Sequence, residues 1–179
     1  VVGNVFRENR AYLRQNATGG EGGGIWLMTQ TSPRGDVVIA GNTFVGNTAT
    51  DVFSGEQGGA IALLPYSSRI VIADNAMAFN SSGVYRRTGA TLVPTLRFNG
   101  LWNGAFNYVN LTAGTGDLVA DPLFVDRAAG NYRLQAASPY VDAGSNADAT
   151  RPFDLDGAPR VQDGKGTGLA VVDIGAFEF

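Results

Sequence analysis

The stretch Val37-Val38-Ile39-Ala40-Gly41-Asn42-Thr43-Phe44-Val45-Gly46-Asn47 decides the fold, because its pattern returns along the chain. Set on Asn42, the unit is an apolar residue three places before, the Asn, a large apolar residue two after and a second Asn five after. Ile72, Asn75, Met77 and Asn80 repeat it, as do Val1, Asn4, Phe6 and Asn9. Leu96, Asn99 and Leu101 form a weaker copy, with Asn103 one place early. A second word follows two of the copies: Gly22-Gly23-Gly24-Ile25 and Gly58-Gly59-Ala60-Ile61. The steps between the first Asn of each unit are 38, 33 and 24 residues, so the loops vary while the strand words persist. A helical repeat would hold its period and show 3.6-residue spacing. A strand–Asn–strand unit of drifting length predicts a β-helix instead.

Within one unit the alternation is that of a strand, with Val37 and Ile39 inward and Val38 and Ala40 outward. The phase breaks at Gly41, after which Asn42 and Phe44 return to the interior. Asn suits such a corner because it tolerates left-handed backbone angles. Stacked about 4.8 Å apart, the amides of Asn4, Asn42, Asn75 and Asn99 are expected to form an internal ladder, each donating to one neighbour and accepting from the other. Gly22 to Gly24 and Gly58-Gly59 mark a second corner, where close approach of neighbouring coils excludes a Cβ. Residues 1–135 therefore read as coils, clearest over 1–110. Residues 136–179 read as an irregular C-terminal segment capping the open core. An antiparallel sandwich would also show short strands and Gly-rich turns, but would not repeat the Asn with the same apolar neighbours. The chain starts inside a repeat and lacks an initiator Met, which reads as the C-terminal piece of a longer protein.

Composition supports this all-β reading. Glycine, at 25 of 179 residues, favours many tight turns. Twelve of the 13 basic residues are Arg and twelve of the 16 acidic ones Asp, so the Lys and Glu of helical surfaces are scarce. A formal charge of −3, with no basic cluster longer than Arg86-Arg87, argues against a nucleic-acid partner. The absence of His removes Ser-His and Cys-His nucleophile chemistry, and the absence of Cys removes disulfides and thiolate metal sites. No run approaches the ~18 apolar residues of a membrane span.

Beyond the repeats, a series of words follows in order: Asn103-Gly-Ala-Phe-Asn-Tyr108, Asp121-Pro-Leu-Phe-Val-Asp126, Asn131-Tyr-Arg-Leu134, Ser138-Pro-Tyr-Val-Asp-Ala-Gly144, Asp154-Leu-Asp-Gly157 with Arg160, and Val172-Asp-Ile-Gly-Ala-Phe-Glu178. The series resembles the C-terminal region of bacterial right-handed parallel β-helix repeat proteins of the choice-of-anchor surface type. The repeats ahead of it are similar to those of polymorphic outer-membrane proteins. The resemblance implies a right-handed β-helix that is secreted or displayed on a bacterial surface. It implies no activity shared across the family.

Function is read from the residues that carry chemistry. Asp154 and Asp156, in Asp-Leu-Asp-Gly, are candidate calcium ligands. The competing reading is an Asp-Gly turn whose carboxylates cap N–H groups or pair with Arg151 and Arg160; no other cofactor is expected. Asp142 and Asp173 each precede a Gly by two places and read as turn residues rather than a glycosidase pair. Arg69, Arg97 and Arg133 are available as a lyase base by residue type alone, and no catalytic constellation assembles around them. Trp26, Tyr66 and Trp102 are candidate platforms for stacking sugar rings, weighed against core or cap roles. The Asn-x-Ser/Thr triplets at Asn16, Asn80 and Asn110 carry little weight in an Asn- and Thr-rich chain. The expected function is a non-catalytic secreted or cell-surface scaffold or adhesin that meets glycans or partners through its loops. Self-association is expected through an open end of the β-helix or through the strand around Val171 to Phe179. The alternative is a polysaccharide lyase or glycoside hydrolase on the same scaffold; a trimeric phage-type spike is a third reading.

Overall fold

A computed structural model describes residues 1–11, 20–29, 35–51, 55–66 and 68–179. The chain runs in circuits. The first gives β1 (Val5–Arg7), β2 (Arg10–Ala11) and β3 (Ile25–Met28). The second gives β4 (Val37–Ala40), β5 (Thr43–Val45), β6 (Thr48–Asp51), β7 (Gly55–Glu56) and β8 (Ile61–Leu64). The third gives β9 (Ile70–Ala73), β10 (Ala76–Ala78) and β11 (Val84–Arg86), and the fourth β12 (Thr95–Arg97), β13 (Gly100–Trp102) and β14 (Tyr108–Val109). A fifth contributes β15 (Leu118–Val119), after which β16 (Phe124–Asp126) and β17 (Asn131–Leu134) form an antiparallel pair. No helix occurs among the described residues, and hence none long and apolar enough to cross a membrane.

Successive circuits return to the same three sheets: β4-β9-β12, β1-β5-β10-β13-β15 and β3-β8-β11-β14. Every pairing within these sheets is parallel. The register matches like with like. Ile39, Ile72 and Leu96 stand over one another, as do Phe6, Phe44, Met77 and Leu101, and Ile25, Ile61 and Val84. Because side chains alternate across a strand, each such column stays on one face through the stack. The inward columns merge into a single apolar core that includes Ile39, Phe44, Ile61, Leu63, Ile72 and Met77. This all-β, parallel-sheet arrangement is compatible with a β-solenoid.

At the first corner the left-handed residue is not the Asn but the one before it. Gly3, Gly41, Asp74, Phe98 and Gly116 all have φ between 52° and 73°, each immediately ahead of Asn4, Asn42, Asn75, Asn99 or Asp117. The Asn keeps an ordinary backbone and is selected for its amide. At the Gly-Gly corner, Cβ atoms on Gly23 and Gly59 would lie 2.6 Å from Gly59 O and from Ser81 Oγ, so contact between circuits excludes side chains there.

The C-terminal segment does not cap the end of the stack. Tyr108 and Leu111 pack against the core beside Leu96 and Leu101 of the fourth circuit. The segment from Ala120 onward lies along the side, on the outer face of the five-stranded sheet. Tyr140, Val141, Ile174, Ala176 and Phe177 form a second core there with Val45, Ala76 and Ala78. This face is built of small residues because it is covered: a Cβ on Gly100 would sit 2.2 Å from the Tyr140 ring. The division expected at residue 135 therefore moves back to Val119, since the antiparallel β16-β17 pair belongs to the lateral segment.

Candidate functional site

Two asparagine ladders run through the stack. In the first, the Nδ2 groups of Asn4, Asn42 and Asn75 donate to the Oδ1 of the next rung at 3.1, 2.9 and 3.0 Å. Asn99 continues the series by donating to Asp117 Oδ1 at 3.0 Å. Each backbone N–H donates to the same oxygen as its own amide. The second ladder links Asn9, Asn47, Asn80, Asn103 and Asn107 in the same sense. Asn42 and Asn75 are wholly buried, and their remaining amide hydrogens reach Ala40 O and Ala73 O. A buried amide satisfied on every side fixes register and carries no reactivity. The second ladder was legible in the unit itself, as the Asn five places on. Asp117 was not, because its residue type hides it, although Gly116 ahead of it repeats the corner of Gly3 and Gly41.

A second polar cluster lies in the seam between stack and lateral segment. Asp74 Oδ1 accepts from Ser145 N at 2.8 Å, while its Oδ2 is buried with no hydrogen-bond partner. Burial pushes this carboxyl up to about 7, with Asp148 adding repulsion and Arg160 and Arg97 opposing it. Arg97 is paired with Asp148 at 2.5 and 2.6 Å. Arg160 is buried, donates to Glu178 at 2.5 Å and reaches the carbonyls of Asp173 and Gly175. Asp173 accepts from the backbone of Asp142 and Phe179, and burial raises its carboxyl to about 6. Backbone bonds complete the joint: Gly175 N donates to Asp74 O and Ala176 N to Thr43 Oγ1. The crevice lined by Asp74, Asp148, Asp154 and Arg160 holds only about 10 Å³, too little for a substrate.

The other sequence candidates fall apart in space. Asp154 accepts from the N–H groups of Asp156, Ala158 and Glu178, and Asp156 is paired with Arg133 at 2.5 and 2.6 Å. No group of three acids able to hold a metal ion forms among the described residues. Asp142 accepts from the backbone of Gly164 and Lys165. Arg69 pairs with Asp36 on the surface. Asn80 is a buried rung, Asn110 is exposed and donates to Arg86 O, and Asn16 lies outside the described residues. The expected C-terminal strand for self-association is occupied: Val172 to Phe177 are buried against the stack.

The three aromatic candidates stand on different surfaces. Trp26 is 46% exposed on the outer face of the four-stranded sheet, in one row with Ala62 and Tyr85. Its indole N–H donates to Glu21 at 2.9 Å, and Glu21 also pairs with Arg87 at 3.3 Å. Trp102 is 40% exposed on the five-stranded sheet, one residue past the Leu101–Val119 pair. Tyr66 is half-buried beyond β8, with its backbone N–H on Thr29 Oγ1. Trp26 is thus the aromatic with a charged, hydrogen-bonding pair beside it. Comparison with known protein families, with curated proteins and with solved structures gives no match.

Proposed function

We propose that this chain is a right-handed parallel β-helix with a laterally docked C-terminal segment, serving as a non-catalytic secreted or cell-surface scaffold of adhesin type. One observation carries the reading: two outward rows are small or apolar, and the Arg residues a lyase would draw on are paired with carboxylates. Val38, Val71 and Thr95 fill one outward row, and Thr43, Ala76 and Gly100 another. Arg97 and Arg133, the bases a lyase would draw on, are each held by a carboxylate of the lateral segment. A lyase or hydrolase needs acids and a base free in an open groove on one face; here Arg97 ties the stack to the lateral segment and Arg133 is paired within that segment.

Trp26, with Glu21 and Arg87, offers an apolar ring face bordered by a hydrogen-bonding pair, the combination that suits a sugar ring. The reading predicts carbohydrate retention on a glycan array by the intact chain, reduced at least tenfold by Trp26→Ala. It also predicts no release of unsaturated uronides from acidic polysaccharides. Uronide release would replace the scaffold reading with the enzymatic one. Retention unaltered by Trp26→Ala would move binding to another surface.

A further inference from the structure

The joint between stack and lateral segment is crowded with acids. The stack contributes Asp74 and Arg97, and the lateral segment Asp142, Asp148, Asp154, Asp173, Glu178 and Arg160. Arg151 and Lys165 stand at its exposed margin. Arg97 is taken up by both oxygens of Asp148. Arg160 donates to Glu178 and to the carbonyls of Asp173 and Gly175, and none of its hydrogen bonds goes to Asp74. One inner guanidinium therefore serves three buried acids: Asp74 and Asp173 are 1% exposed, as is the Glu178 side chain. Asp74 Oδ2, with no hydrogen-bond partner, gives a charge formed there no donor in place.

These acids surround the bonds that fasten residues 172–178 to the stack. Gly175 N donates to Asp74 O at 2.8 Å and Ala176 N to Thr43 Oγ1 at 3.0 Å. A Cβ on Gly175 would lie 3.0 Å from Thr43 Oγ1 and 3.2 Å from Ala76 Cβ, so this strap sits directly on the sheet. Its own turn is held by the same carboxyls, with Asp173 N donating to Glu178 and Phe179 N to Asp173.

From this arrangement we infer that the seam is a proton-operated latch: with its acids neutral it holds the strap 172–178 on the five-stranded sheet, and with them ionised it releases the strap and bares Thr43 and Ala76 while the stack stays folded. Burial is the main force raising Asp74 to about 7, Asp173 to about 6 and Glu178 to about 8. Repulsion adds to it, from Asp148 on Asp74, from Asp142 on Asp173, and from Asp173 and Asp154 on Glu178, while Arg160 opposes it at all three. An acid raised by docking favours the docked form fully below its ordinary value, and that preference is lost as pH climbs through about 6 to 8. For Asp74 alone, about 7 when docked and 3.8 when released, the released fraction rises about a hundredfold between pH 5 and pH 8. The latch is independent of any carbohydrate binding at Trp26.

Hydrogen exchange of the intact chain tests it, read at single amides at pH 5 and pH 8 and divided by the rate of an unstructured chain at the same pH. Protection of Gly175 N and Ala176 N should fall about a hundredfold or more. At pH 8 those two amides should exchange at least tenfold faster than Ala76 N and Gly100 N of the stack, which are bonded to Asn42 O and Asn75 O. Urea below the unfolding transition should barely change the strap rates and steeply raise the stack rates, because a local opening exposes little surface. Asp74→Asn, which keeps the acceptor for Ser145 N, should shrink the fall at Gly175 at least tenfold; the comparison within the parent needs no variant. Unchanged protection of Gly175 and Ala176 overturns the proposal. So do strap and stack amides with one rate and one urea dependence at pH 8, which would mean unfolding of the whole chain, and so does an undiminished fall in Asp74→Asn.

Discussion

Asp74→Asn is the most informative single change. In the folded chain the Asp74 carboxyl is held near 7 by burial, against an ordinary value of 3.8. An acid whose folded value is raised stabilises the fold while it is protonated there. That stability is fully present below pH 3.8, erodes as the unfolded chain ionises, and is lost as pH passes about 7. At about 1.4 kcal/mol per pH unit, the full effect is about 4 kcal/mol, of which about 2–3 kcal/mol falls between pH 5 and pH 8. Asparagine keeps the acceptor for Ser145 N and tolerates the φ of 54° at this corner, but cannot ionise. Urea unfolding at pH 5 and pH 8 reads the difference. The parent should lose about 2–3 kcal/mol more than the Asp74→Asn variant over this interval, because the contributions of Asp173 and Glu178, buried acids raised to about 6 and about 8 and acting with the same sign, are common to both proteins. Parallel pH dependence in the two proteins would refute the reasoning, and would mean that Arg97 and Arg160 hold Asp74 ionised throughout, against its burial and the repulsion of Asp148.

Three further outcomes follow from the same geometry. Asn42→Leu, at a buried middle rung, should cost about 2–3 kcal/mol in urea unfolding by leaving the Ala40 and Val1 carbonyls without their donor, whereas Asn4→Leu at the exposed end should cost under about 1 kcal/mol. Asp117→Ala removes the acceptor of four donors and should cost about 2–4 kcal/mol, with Asp117→Asn falling between it and the parent. Arg160→Met leaves Glu178 buried without its cation and should cost about 3–5 kcal/mol. Limited proteolysis of that variant should cut the lateral segment well before the stack.

The stack was legible because parallel strands in register demand the same class of residue at the same place in every circuit. Phe6, Phe44, Met77 and Leu101 announce their column, and Asn4, Asn42, Asn75 and Asn99 their rungs, without reference to any partner. The corner was half-read, since the left-handed turn falls on residues as unlike as Gly41, Asp74 and Phe98 and shows no common type. The polar seam was not legible. Arg97 and Asp148 are 51 positions apart, and nothing local to either residue names the other.

The sequence by itself determined the repeating unit, the interior columns and the all-β class, because each rests on a periodicity the chain carries locally. Only the tertiary structure decided where the C-terminal segment goes, which acid ends the first ladder and which carboxylates are buried. Those outcomes depend on contacts between residues far apart in the chain. Nothing local to the small outward residues Ala76, Ala78 and Gly100 names Tyr140, 40 or more positions on, whose ring packs on that face.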